Sequence, residues 1–317
     1  MTRRYWQLAL QATVTLALLA WLISRLDWHT LGQTLAGARL PWLAAGVASY
    51  LFSLAVGAVR WRTIMNTLSR PVPLSRLLTV YWVGAFFNQA LPGAVSGDAV
   101  RALYIRQAAG GLPLASAAIL AERLFGLGAM VVLVVTGYGT APAEHAGLPE
   151  LATLVALMAI GYPLAVGLLL HLPLDQLLAG RLPALAAALG EARLALRAVF
   201  RRGPALLSTA VLSLIVQVFW VGVFWCVGHA LSLPLDRVAL WVIWPLVSLV
   251  ATLPISLAGW GVREGLLVFY LAGLGIAGHY ALAVSLLAGL AVLLASLPGG
   301  LVWLWLHRPP VGGAHRR

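Results

Sequence analysis

Apolar positions in this chain come in long continuous runs, not in the short alternating segments of a β-barrel. A spanning helix needs about 20 mostly apolar residues. Runs of that length predict helices near 5–25, 40–66, 113–138, 150–171, 204–231 and 279–306. Two further apolar stretches, 76–110 and 238–276, are interrupted by Pro, Gly and charged residues. Between the halves, residues 172–203 carry Arg181, Arg193, Arg197, Arg201 and Arg202 among spaced Leu and Ala, a pattern that suits an amphipathic helix lying on the membrane. The expected architecture is all-α and polytopic: about six full spans plus two broken or re-entrant helix hairpins.

The two interruptions match. The first reads LPGAVSGDAVR (91–101) and the second LPISLAGWGVR (253–263). Both fit Leu-Pro-x4-Gly-x-x-Val-Arg, 162 residues apart, and the same shift carries the flanking helices onto one another. This predicts a pseudo-repeat of about 1–140 and 150–306, the halves having similar folds and opposite orientation. A linker at 172–203 and a basic tail at 307–317 complete a single domain over 1–317. Inverted repeats with broken helices mark secondary transporters whose substrate site lies near the midplane. The break positions are Pro92, Gly93, Gly97, Pro254, Gly259 and Gly261. Pro removes a backbone donor, Gly permits turns that other residues resist, and freed backbone is tolerated only against protein or water. The new helices beginning at Asp98–Arg101 and Val262–Glu264 point their N-termini at a cavity, where they favour an anion. Packed helices merely kinked by Pro and Gly are the structural alternative.

Composition fixes the class. Of 317 residues, 62% are hydrophobic and 9% charged, with a mean hydropathy of +0.94; soluble domains carry about 25% charged residues. The net charge of +12 comes from Arg, with no Lys. Without a soluble basic domain, nucleic acid is not the expected partner; cytoplasmic loops of a membrane protein collect such charge. Arg3, Arg4, Arg60, Arg62, Arg70, Arg76 and the tail then place both termini in the cytoplasm, and the 139–149 loop outside. The expected location is the bacterial cytoplasmic (inner) membrane, with the first helix an uncleaved span. The single Cys226 rules out an intramolecular disulfide and a thiolate metal cluster.

Three of the nine acidic residues, Asp98, Glu122 and Glu264, fall within apolar segments. An ionisable residue at membrane depth costs about 2.5–3.5 kcal/mol and normally has a partner and a purpose. Asp98, Arg101, Glu122, Arg123, Arg263 and Glu264 are therefore candidates to surround one polar cavity. Their Arg groups suit forked hydrogen bonds to phosphate, and their carboxylates suit orienting those groups or carrying protons. Structural ion pairs that lock broken helices are an equally open reading. Arg60 is expected to snorkel from the end of its helix. Asn88 and Gln89 suit freed backbone groups, and Trp260 suits either lipid packing or sealing of the cavity. No metal, cofactor or catalytic residue is expected.

NQALPGAVSGDAVRALYI, AERLFGL and SLAGWGVREG resemble signature blocks of the lysylphosphatidylglycerol synthase transmembrane-region family, also called flippase-like, over roughly residues 5–306. The family pattern falls on Asn88, Pro92, Gly93, Gly97, Asp98, Arg101, Glu122, Arg123, Gly259, Gly261, Arg263 and Glu264, with Ala94, Val95 and Ser96 where more Gly is usual. The resemblance implies movement of a lipid, or of a lipid-linked anionic head group, between leaflets. It matches the membrane half of bifunctional proteins whose soluble aminoacyl-transferase domain is not expected here. Related members are linked with hopanoid or polyprenyl-sugar pathways. An integral-membrane group or glycosyl transferase using Asp27, or an accessory protein in lipid synthesis, is the alternative; Asp27 stands beside Arg25 without an Asp-x-Asp pair. Loss of function at Asp27 alone would favour the transferase.

Overall fold

The structure is a computed structural model that describes residues 13, 28–68, 71–91, 96–141, 149–251 and 261–306. The expected helix near 5–25 apart from residue 13, Asp27, residues 142–148 of the loop expected outside, Pro92, Gly93, Pro254, Gly259, Trp260 and the 307–317 tail lie outside these residues. Within them the chain is helical and has no strand. A short helix α1 (Trp28–Ala36), which the apolar pattern does not announce, precedes α2 (Leu40–Leu68). The first interrupted segment is α3 (Leu74–Ala90) and α4 (Ser96–Ala109), followed by α5 (Leu112–Gly139) and α6 (Pro149–His171). The linker holds α7 (Leu174–Leu178) and α8 (Pro183–Phe200). Then come α9 (Gly203–Ala230), α10 (Ala239–Ala251, its first turn π-helical), α11 (Val262–Ala272) and α12 (Gly278–Leu306). Five helices, α2, α5, α6, α9 and α12, are long and apolar enough to cross a membrane. They match the five spans expected within the described residues.

Local chemistry explains the ends. Gly110 (φ +87°) and Gly111 (φ +138°) hold the turn between α4 and α5 in backbone regions that glycine alone enters cheaply. Gly261 (φ +83°) opens α11, and the Glu264 carboxylate reaches back to accept its N–H at 2.7 Å. Asp236 Oδ1 accepts the N–H of Ala239 at 2.8 Å, which satisfies a donor at the start of α10.

The most extensive helix pair is α2 with α9, and it is antiparallel. Arg39 N–H donates to Ala230 O at 2.9 Å, Ser49 Oγ donates to Phe219 O at 2.7 Å, and Arg60 reaches Ser213 at 3.2 Å. Adding 162 to the bounds of α2, α3, α4 and α5 gives 202–230, 236–252, 258–271 and 274–301, within five residues of α9, α10, α11 and α12. The contacts follow the same exchange. α3 packs on α12 and α10 on α5; α4 packs on α5 and α11 on α12; α2 packs on α12 and α9 on α5.

Apolar helices gain no hydrophobic drive from leaving lipid, so close backbone approach through small residues carries much of the packing. Gly299 of α12 lies against the Trp82 carbonyl of α3, where a Cβ would overlap it. Its counterpart by the same shift, Gly137 of α5, lies against α10, where a Cβ would stand 2.8 Å from Trp241 Cβ. Both arms of each interrupted segment are shorter than a full span: α3 has 17 residues and α4 has 14.

The linker differs from a helix that merely lies on lipid. α8 buries Ala186, Ala192, Ala195, Leu196 and Val199, chiefly against α5, while Leu185 and Leu194 stay exposed. Its small residues permit a tight seat on the bundle, which a surface helix would lack.

Candidate functional site

Glu122 lies ten residues into the 28-residue α5, about 15 Å along the helix axis and about one turn from its middle. It is 2% exposed. Its carboxylate gathers three donors from three other helices. Oε1 accepts Arg60 Nη2 of α2 at 2.7 Å and the Tyr81 hydroxyl of α3 at 2.7 Å, and Oε2 accepts Arg101 Nη2 of α4 in a short contact. Arg101 also donates to Asp98 Oδ1 at 3.2 Å, and Asp98 Oδ2 accepts Arg123 Nε in a second short contact. Arg60 Nη1 donates to Ser213 Oγ of α9, which donates on to Thr209 O at 2.8 Å. A charged chain thus ties α2, α3, α4, α5 and α9 together.

The snorkelling expected of Arg60 does not occur. It is 5% exposed and points into the bundle, because Glu122 offers a carboxylate there and the helix end does not. Arg101, 6% exposed, lies 4.2 Å from the Trp61 ring centroid and 4.1 Å from that of Tyr81. The two rings are tilted 59° to each other, and a guanidinium against their faces is held electrostatically as well as by its carboxylates. The Arg101 stem crosses α3 at Gly84, where a Cβ would stand 2.6 Å from its Cγ. Gly97 sits in the first turn of α4 rather than at the break, and its Cα faces the Gly84 carbonyl so closely that a Cβ would overlap it. Asn88 does what its position suggested: its Oδ1 accepts the Gly97 N–H at 2.8 Å, a donor left open at the start of α4. Asn88→Ala is expected to orphan that N–H at a cost of about 1–3 kcal/mol. A melting temperature in detergent equal to that of the wild type would contradict this.

The second half builds a smaller cluster. Glu264, 1% exposed, accepts Arg263 Nη2 at 2.7 Å, Arg263 Nε at 2.9 Å and the Ser285 hydroxyl at 2.7 Å, all on Oε1. Gly289 leaves room for the Arg263 guanidinium. Arg101 and Arg263 are equivalent by the 162-residue shift, as are Arg123 and Ser285. The two clusters therefore have an arginine at matching positions of the shift and differ in what holds it.

Two cavities join the clusters. One, of about 320 Å³, is lined by Arg60, Tyr81, Asp98, Arg101, Glu122 and Arg123, with Tyr50, Gln217 and Trp220 opposite. The other, of about 330 Å³, is lined by Asn88, Gln89, Arg123, Trp244, Ser248 and Arg263. Tyr50, Asn88, Arg123, Met130, Gln217 and Trp220 line both. Of the sequence candidates, Asn88, Asp98, Arg101, Glu122, Arg123 and Arg263 face this space; Glu264 stands behind Arg263, and Trp260 lies outside the described residues. Arg60, Tyr81, Trp61, Gln217, Trp220 and Ser285 were not anticipated as site residues. For Arg60 and Gln217, a polar group inside an apolar run was a usable signal; the aromatic residues gave none.

Residues 8–300 match the family described as lysylphosphatidylglycerol synthase TM region, and the chain belongs to it. A stretch of 112 residues, 34% of this chain and 33% of the relative, is 26% identical to the UPF0104 membrane protein PH1989 of Pyrococcus horikoshii. The match thus spans about a third of that curated relative. No solved structure matches significantly.

Proposed function

We propose that this member of the lysylphosphatidylglycerol synthase membrane-region family moves a phosphate-bearing lipid head group between the leaflets of a bacterial cytoplasmic membrane, through the space between its two halves. One observation carries the reading: Arg123 and Arg263, one from each charged cluster, place their guanidinium groups on the wall of one otherwise largely apolar cavity between the helices. Each is held by a carboxylate, Asp98 or Glu264, so its fork is oriented before an anion arrives. Arg60 and Arg101 direct their charge at Glu122 and serve as the lock between helices. The first cluster holds three guanidinium groups against two carboxylates, an excess that favours a single negative charge.

Alternating access follows from an inverted repeat. The antiparallel packing of α2 and α9, equivalent by the 162-residue shift, supports that symmetry. So do the matched glycines Gly137 and Gly299 and the exchange of contacts between halves. The short arms α3–α4 and α10–α11 suit hairpins that enter part of the bilayer from opposite sides.

The test is translocation of fluorescent phosphatidylglycerol in proteoliposomes. A hydrogen bond to a charged group is worth about 1.5–3 kcal/mol, so Arg123→Gln and Arg263→Gln are each expected to slow movement by about tenfold or more. Rates equal to wild type in both variants would overturn the assignment of these residues. No movement of any phosphate-bearing lipid by the wild type, with activity lost in Asp27→Asn in a transferase assay, would favour group transfer instead.

A further inference from the structure

The linker between the halves carries a second basic site, away from the cavity. On α8, Arg193, Arg197 and Arg201 follow one another at four-residue spacing, so they form a row one turn apart on a single face. This row and the C-terminal turn of α2 (Thr67, Leu68) enclose a crevice of about 460 Å³. One carboxylate, Asp175 of α7, shares it, and accepts Arg193 Nη1 at 2.9 Å. Three guanidinium groups therefore face one carboxylate.

Much of their donor capacity remains. Arg193 Nε is buried with no hydrogen-bond partner. Arg197 spends Nε (3.1 Å) and Nη2 (2.5 Å) on the Leu170 carbonyl, which leaves Nη1. A guanidinium offers five donors in a planar fork, a geometry that matches phosphate oxygens. The apolar flank decides what kind of phosphate fits. Leu194, which lines the crevice, is 55% exposed, and Leu185 and Phe200 on the same helix are also exposed. A free anion has no use for that surface, whereas an acyl chain beside its head group does.

We propose that this crevice binds the phosphate-bearing head group of an anionic phospholipid from the leaflet next to α8, with the acyl chains against Leu194. The site is separate from the cavity through which the lipid is moved, and it pins the linker, and with it both halves, to the bilayer surface.

A photoreactive benzoylphenylalanine at Leu194, in vesicles of one part phosphatidylglycerol to three parts phosphatidylcholine, reads the occupant directly by adduct mass. A basic residue near an anionic head group is worth about fivefold in local binding. Wild type is expected to give phosphatidylglycerol adducts several-fold above their share of the bilayer. Arg201→Gln, which leaves the Arg193–Asp175 and Arg197–Leu170 contacts in place, is expected to cut that excess about fivefold. Arg193→Gln/Arg197→Gln/Arg201→Gln is expected to abolish it. Adducts in proportion to bilayer composition, or an excess that survives the triple variant, would overturn the site. Loss of the phosphatidylglycerol adduct on adding inorganic phosphate would assign the crevice to a free anion and overturn the lipid. Arg123→Gln/Arg263→Gln is expected to crosslink as the wild type does, so the outcome is independent of transport.

Discussion

Glu122→Ala is expected to be the most damaging single change in this protein. It leaves Arg60 and Arg101, both buried, facing each other without the carboxylate that binds them, and it removes the acceptor of the Tyr81 hydroxyl. Breaking a buried pair by removing one partner costs about 3–5 kcal/mol. Here one carboxylate serves two guanidinium groups, so the loss falls at the upper end or beyond. Thermal melting in detergent, followed by size-exclusion elution, is expected to show a much lower midpoint or an aggregated peak. Glu122→Gln is expected to fall between, since it keeps the shape and one acceptor oxygen. Glu122→Leu combined with Arg60→Met should recover part of the loss, because removing both members of a buried pair costs less than removing one. A Glu122→Ala midpoint close to that of the wild type would mean the network contributes nothing to holding α2, α4 and α5 together.

Gly97→Ala comes second. The added Cβ would overlap the Gly84 carbonyl and stand 2.7 Å from Asn88 Oδ1. Backbone cannot swing aside as a flexible side chain can, so α4 must move off α3. Overpacking costs about 1–3 kcal/mol where side chains can adjust, and this case is expected to reach or exceed that range. Moving α4 also draws Arg101 and Asp98 away from Glu122 and Arg123, so lost stability should come with loss of the proposed lipid movement. The contrast is Gly167→Ala in α6, where nothing lies within 4 Å. There the change is expected to be neutral or to stabilise by about 0.5–1 kcal/mol, as Ala does for Gly within a helix. Similar melting midpoints for the two variants would refute the close contact at Gly97.

The spans were legible because length and hydropathy are local properties of a sequence, and a bilayer enforces both. The matched spacing of Pro, Gly and Arg was legible because those residues recur 162 positions apart; Gly137 and Gly299 were open to the same comparison, since they too stand 162 residues apart. Arg60 was misread for a specific reason. It shares the final third of α2 with Arg62, where an arginine usually reaches for the interface, and the carboxylate that claims it lies 62 residues further on. Tyr81 and Trp61 look like any aromatic in an apolar run, and only the fold shows that both rings pack on the Arg101 guanidinium. Gly84 carries no signal at all, because its role depends on which stem crosses it. α1 was missed because nine residues are too few for a span, although Leu31 and Leu35, one turn apart and both on the core side, were a readable stripe.

The network around Glu122 also has a history that the finished bundle conceals. Its charged members sit on three helices and leave the ribosome in order: α2 with Arg60, then α4 with Asp98 and Arg101, and α5 with Glu122 and Arg123 last of these. Arg60 must enter lipid before any counterpart exists, at about 2.5–3.5 kcal/mol on insertion scales, and Arg101 then has only Asp98 of its own helix beside it. The apolar length of α2 can carry that debt for one arginine, whereas α4, short and more polar, depends on company. Insertion of the first half is thus a cooperative event completed by α5. A chain arrested before Glu122 emerges should still hold α4 at the translocon, and a nascent-chain crosslinking series would find the point of release.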